Sequence, residues 1–432
     1  MRTLFVGVAG MALSCPGGLV AQDHSAGDHT ALEHGAADHP TAGHPPAHRP
    51  DARDQMGGEG SGTARLPAAE TSGHGLHLDL GAGTALMVHG TLWSVYTDQT
   101  GPRGADKLYV QSMAMAAIEN RFDGGRIMGR AMMSLEPAMR HDGYPNLFAT
   151  GEVAYGRPLV DRQHPHDLFM ELAARIDLGL GEDTSLFIYG GPVGEPALGP
   201  SGFMHRASAR YNPEAPITHH WFDSTHITYG VVTVGVASRR FQVEASGFRG
   251  REPDEHRWNI ERFKLDSWSV RASFAPSPQW LLQASHGRLD QPEELHPGQD
   301  EQRTTASAHF NNGRGLAATA AFSAKNRMPG KTLTAWLAEV NWDLGRRHTV
   351  FARAEETAQD ELFPDHGHPL HDRRFRIAKL QAGYAYRMRL GVANLALGGT
   401  IATFLKPQAL VPFYGQRPMG YTAFVRLNLG DQ

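Results

Sequence analysis

The chain has 432 residues, 24 of them histidine, a single cysteine and a formal net charge of −4. So small a net charge, with no basic stripe, excludes the usual electrostatic footprint of a nucleic-acid-binding protein. The lone Cys15 lies near the N-terminus, and no run of about 18 apolar residues occurs beyond the first 21, which excludes a spanning helix.

Residues 1–21 open with Arg2, continue through an apolar run at 4–13 and end in Leu19-Val20-Ala21. That order of charge, apolar stretch and small residues is a secretory signal, with cleavage expected after Ala21. Lipidation at Cys15 is the weaker alternative, because Ala12-Leu13-Ser14 lacks the usual leucine three places before the cysteine. Cleavage after Ala21 leaves a mature chain without thiols, hence without disulfides, thiolate catalysis or cysteine-based zinc sites.

Residues 22–72 are rich in His, Ala, Gly, Pro and Asp and poor in large apolar side chains. Such a segment buries too little surface to offset its ordering entropy and is expected to be disordered. His24, His29, His34, His39, His44 and His48 recur through it at nearly regular spacing, the first four each preceded by an acidic residue. Imidazole beside carboxylate offers many weak, exchanging sites for a divalent transition metal, Cu(II), Zn(II) or Ni(II).

Residues 73–432 show the two-residue apolar period of strands with two unlike faces. Near 167–180, Leu168, Met170, Leu172, Ala174, Ile176 and Leu178 share one face, against Asp167, Glu171, Arg175 and Asp177. Ile127, Ala131 and Met133 oppose Arg126 and Arg130; Trp336, Ala338, Val340 and Trp342 oppose Glu339, Asn341 and Asp343. The second face is too charged for a dry core. Tight turns are expected at 123–125, 181–183, 238–240, 275–278, 311–313, 345–347 and 387–389. Long connections fall between them, the short link at 328–330 being the exception. This alternation predicts an all-β fold, a transmembrane antiparallel β-barrel of about 16 strands in the outer membrane of a Gram-negative-type bacterium, its leader in the periplasm. Trp93, Trp268, Trp280, Trp336, Trp342, Tyr109 and Tyr421 are candidate interfacial girdles. The last strand, with Tyr421, Ala423, Val425, Leu427 and Leu429 on one face, is similar to the closing strand of outer-membrane proteins, which implies the assembly machinery and outer-membrane lipid as partners.

Two loops carry candidate metal ligands. Gln163-His164-Pro165-His166-Asp167 lies in one, and the longest ends in His219-His220-Trp221-Phe222-Asp223-Ser224-Thr225-His226. If they meet at the barrel mouth, three imidazoles and a carboxylate from among His164, His166, His219, His220, Asp223 and His226 make a Zn(II) or Cu(II) site; a hydrogen-bonded cluster that only shapes the loop is the alternative. A third group, His366, His368 and His371, lies on another outer loop. Met113, Met115, Met128 and Met132 fall on the lumen-facing side of two neighbouring strands, where thioethers would suit Cu(I) or merely fill space.

Signal, His-rich leader and alternating barrel together resemble the copper-resistance protein B family. The resemblance implies an outer-membrane location and a role in handling excess metal, and it assigns no particular ligand. Two other functions compete. A surface hydrolase would use Ser224 with His226 or Ser208 with His205, but no nucleophile-elbow motif is present, so no catalytic set is assigned and an enzyme is not expected. A non-transporting scaffold barrel would use its histidines only to shape loops.

Overall fold

A computed structural model describes residues 60–70 and 75–430; the expected signal, the six leader histidines and the rest of residues 1–59 lie outside the described residues. Strands form where the two-residue period runs, and they are named here in chain order. They are β1 (Leu76–Gly81), β2 (Thr84–Gln99), β3 (Asp106–Phe122), β4 (Gly125–Met133), β5 (Phe169–Gly179), β6 (Thr184–Gly194), β7 (Thr228–Ser238), β8 (Phe241–Phe248) and β9 (Ser267–Ser277). The series continues with β10 (Trp280–Leu289), β11 (Asp300–Asn311), β12 (Leu316–Met328), β13 (Thr332–Leu344), β14 (His348–Gln359), β15 (Phe375–Leu390), β16 (Ala393–Leu405) and β17 (Met419–Leu429).

Every consecutive pair is antiparallel, and β17 returns to β2 with Leu429 opposite Gly90 and Gly420 opposite Gln99. Of the seventeen strands in this sheet, β1 pairs with β2 beside the end of β17, Leu76 opposite Val88. The other sixteen close into a barrel, as the alternation of turns and loops predicted. Closure leaves no unpaired edge along the ring, which a sheet in hydrocarbon requires.

The two faces are inverted relative to a soluble protein. In β13, Trp336 and Trp342 are half exposed, whereas Glu339 and Asn341 are each 3% exposed. Outward Val232, Val234 and Val236 of β7 alternate with inward Thr233 in the same way. A continuous apolar exterior around a polar interior is stable only against lipid tails, and this places the barrel in an outer membrane. Val234 sits mid-strand on that face. Val234→Arg is therefore expected to cost about 2–4 kcal/mol, measured by denaturant unfolding in lipid vesicles.

Four of the expected girdle aromatics sit outward near strand ends: Trp280 and Trp342 by the short turns, Trp268 and Tyr421 by the long loops. Outward Trp336 lies further along its strand. Trp93 and Tyr109 do not belong with them. Trp93 pairs across strands with Gln111 and Arg426 on the lumen face, and Tyr109 stacks on Tyr144 with ring centroids 4.4 Å apart.

Met170 is also corrected: expected on the lipid face, it is 1% exposed and points inward. The cause is a bulge, since Met132 pairs with Glu171 while Met133 pairs with Phe169, leaving residue 170 as the extra residue. The turn expected at 387–389 falls at 391–392. β15 runs on to Leu390, and the chain reverses at Gly391, whose φ of +64° suits glycine.

The lumen is largely filled. Residues 195–227, the connection between β6 and β7, do not project outward but fold into the barrel, where all except Met204, His205 and Arg210 are buried. Polar contacts to the wall satisfy this backbone: Ala197 N–H donates to Ser246 and Gly199 N–H to Ser285, 2.8 and 2.9 Å. Asn212 donates to Gln381, and Lys379 to Glu214, 2.7 and 2.8 Å. Residues 60–66, the end of the stretch read as leader, are buried in the lumen as well. Arg130 donates to the Gly62 carbonyl, Gln242 to the Thr63 carbonyl, and Arg65 to the carbonyls of the Ser238–Arg239 turn, which fixes this strap at the short-turn end.

Candidate metal centre

The inward loop and the connection between β4 and β5 meet in the outer half of the lumen. A four-residue helix, His219–Phe222, begins the turn, and a 3-10 turn, Ser224–His226, follows it. The first pair of imidazoles is placed by a short ladder in which Gln163 pairs with Tyr144, feeding His164-Pro165-His166 inward. Leu168 N–H donates to the Arg257 carbonyl, and Asp167 receives Arg257 and the Tyr229 hydroxyl at 3.1 and 2.9 Å.

All five histidines of the two candidate loops, His164, His166, His219, His220 and His226, come together here. Ring centroids are 5.1 Å apart for His219 and His226, and 5.3 Å for both His166 with His226 and His219 with His220. His164 lies 5.7 Å from both His219 and His220. Every one of these rings is buried, so the cluster sits inside the barrel rather than at its mouth.

The hydrogen bonds have a common sense. Nδ1 of His166 meets Glu136 at 2.9 Å, Nδ1 of His219 meets Asp223 at 2.8 Å, and Nδ1 of His220 meets Glu252 at 3.3 Å. Nδ1 of His164 and His226 face the carbonyls of Pro165 and Asp223. Tying off Nδ1 fixes each ring and leaves Nε2 as its donor atom, the arrangement that carboxylate and carbonyl partners impose on metal-ligating histidine. Nε2 of His226 is buried without a hydrogen-bond partner, and Nε2 of His164 is 3.3 Å from Glu152 but outside hydrogen-bond geometry. Orphaned buried nitrogens of this kind are costly unless something pairs with them.

Asp223, grouped with the ligands by its spacing, has another task. One carboxylate oxygen takes His219; the other takes the Phe203 N–H and Arg206, 2.8 and 3.2 Å. It orients the cluster. The carboxylate that faces the rings is Glu152, whose oxygen lies with donor nitrogens of His164 and His220 within 4.8 Å of one another. Glu152 comes from a small hairpin, and its sequence surroundings give no sign of that role. Neither do Glu136 and Glu252, which reach the cluster only through the fold. Gly151 beside it is required: its φ is +112°, and a Cβ there would lie 2.8 Å from the His220 ring.

Charge is divided unevenly. Burial, then Arg257, holds His164 well below the ordinary histidine pKa, and burial with His219 does the same for His226. Burial lowers His219 against the pull of Asp223. Burial also opposes charge on His220, but Glu252 outweighs it and raises this group to about 9; Glu136 raises His166 in the same way. Burial lifts Glu152 to about 7 despite Arg257. Burial thus disfavours charge on His164, His219 and His226, whereas neighbouring carboxylates favour it on His166 and His220.

The other expected groups fare differently. His368 stacks on Phe363 and His371 faces the Phe363 carbonyl, so that loop is held by packing. Ser224 accepts from Arg303, and Ser208 bonds Thr319 and Glu339, so both hydroxyls are taken up in the lumen's polar network. A group missed from the sequence, Glu293, His296 and Glu361, brings its oxygen and nitrogen atoms together. Arg327 and Lys325 already compensate its charge.

Beside the inward loop, along the wall of β2 to β5, lies a cavity of about 550 Å³. It runs from His77 and Met87 near the short turns toward Glu136 and His166, where it touches the cluster.

No model of a protein family matches the chain, and no curated protein is detectably similar. Among solved structures, OmpF of Salmonella typhi in complex with daunomycin is similar at a TM-score of 0.51 and 9% identity, covering 82% of this chain and 100% of that one. The anion-selective porin of Comamonas acidovorans has a TM-score of 0.49 and 10% identity, covering 80% and 100%. OprB of Pseudomonas putida has 0.49 and 7%, covering 81% and 94%. Identities this low speak to fold and not to cargo. In fold, the chain is a porin-like outer-membrane β-barrel.

Proposed function

We propose that this protein handles divalent transition metal, Cu(II), Zn(II) or Ni(II), at the outer membrane, binding it on the buried histidine cluster. The observation that carries this reading is the convergence of five imidazoles from two separate loops, each with Nδ1 tied to an oxygen. Donor atoms of His164, His220 and Glu152 lie close enough that small side-chain movements would set a common ion about 2 Å from each. His219 and His226 supply further nitrogen, and Asp223, Glu136 and Glu252 position the rings. The leader histidines, His24 to His48 as named above, form a second and weaker pool of ligands in this reading. The resemblance of the layout to the copper-resistance protein B family points the same way.

Passage is tested with the protein in liposomes that enclose a zinc-sensitive dye. Zinc entry faster than in protein-free liposomes, and slowed in a His164→Ala/His220→Ala variant, is the expected result. Equal entry with and without protein would end the transport part of the reading. A second reading, a general solute channel or a scaffold barrel, rests on the porin-like fold and the lumenal cavity; conductance indifferent to metal and to these histidines favours it.

A further inference from the structure

The lumenal cavity is lined by sulfur to a degree that the histidine cluster does not account for. Met115 of β3 stands directly opposite His89 of β2 on one side and Met132 of β4 on the other, a single cross-strand row on the lumen face. Directly opposed side chains have Cβ atoms about 5 Å apart. On the same face, Met113 of β3 lies one row toward the long loops, opposite Thr91, and Met87 of β2 one row toward the short turns, opposite Ala117. The bulge in β5 turns Met170 into this group, and the inward loop lays Met204 over it. Met87, Met113, Met115, Met170, Met204 and His89 all line the cavity.

Methionine often fills gaps in apolar cores. Methionines that only filled space would have closed this one, yet here they border about 550 Å³ of open volume, within the range of ligand sites. The donor set selects the guest. Thioether sulfur is a soft, neutral ligand that suits a soft monovalent ion better than a hard dication, and one imidazole beside it does not change that preference.

We propose that this cavity is a site for a soft monovalent d10 ion, Cu(I) or Ag(I), held by two or three thioethers from among Met113, Met115, Met170 and Met204 with His89 as nitrogen donor. Its ligand set is distinct from the histidine cluster, which meets the same cavity at His166, and it does not require that cluster to bind metal.

The test loads the full mature chain with Ag(I) alone and reads sulfur scattering in the silver X-ray absorption spectrum. The leader contributes six histidines but only Met56, so a multi-sulfur shell reports on the barrel. Wild type is expected to show that shell, and so is His164→Ala/His220→Ala. Met113→Leu/Met115→Leu/Met204→Leu is expected to lose it while keeping its compact band on an unheated gel, since Met-to-Leu exchange nearly conserves volume. If the triple variant fails to fold, Met115→Leu alone must reduce the sulfur shell. A wild-type spectrum without sulfur neighbours, or a folded variant that retains the full shell, overturns the proposal.

Discussion

Arg206→Ala is expected to destabilise the barrel by about 3 kcal/mol, at the lower end of the range for removing one partner of a buried ion pair, and to raise its conductance. Arg206 is 2% exposed and is the pin that holds the inward loop to the wall. It donates to both Glu339 oxygens of β13 at 2.9 and 3.1 Å and to Asp223 within the loop. Loss of the guanidinium leaves its acidic partners partly satisfied, because Glu339 keeps Arg353 at 2.9 Å and Asp223 keeps His219. That remaining support is why the lower end applies. With the pin gone, the loop has fewer contacts along β13 and more of the lumen is open to ions. Denaturant unfolding gives the first quantity and planar-bilayer recording the second. Unchanged conductance in a variant that folds would show that residues 195–227 do not restrict the pore.

The second large effect concerns affinity. His164→Ala/His220→Ala should weaken divalent-metal binding by at least about 100-fold, because even loss of a partner that merely orients a ligand costs about 10–100-fold. Asp223→Asn is the companion, with an effect inside that smaller range, since it frees the His219 ring without removing a donor. Calorimetric titration with Zn(II) separates the two. Equal loss in both variants would mean that the cluster responds to general disruption rather than to loss of ligands.

The barrel was legible because each strand states its own register. Alternation of Trp336 and Trp342 with Glu339 and Asn341 needs no knowledge of neighbours, and tight turns separated by long loops fix which end is which. What required three dimensions was anything set by a partner. Met170 continues its strand's apolar period in sequence, but the bulge against Met132 and Met133 turns it inward. Trp93 reads as a girdle residue until Arg426, 333 positions away in β17, is seen beside it on the lumen face.

The inward loop illustrates the same limit. Its composition is that of any exposed connection, and its burial depends on Glu339, Glu355 and Lys379, all far along the chain. The cluster was half legible. His-x-His and His-His-x-x-Asp-x-x-His name the imidazoles, because nearby residues on a turn converge whatever surrounds them. They do not reveal that Asp223 is taken up by His219, Arg206 and the Phe203 amide, or that Glu152 of a separate hairpin lies beside His164 and His220.

The most direct test of the account is metal uptake by the chain from Gln22 onward with His24, His29, His34, His39, His44 and His48 replaced by alanine. Zinc stoichiometry and the zinc X-ray absorption spectrum are read together. A bound ion with an imidazole shell that disappears in the added His164→Ala/His220→Ala variant is the predicted result; a folded, leader-silenced barrel that takes up no zinc, copper or nickel would contradict it.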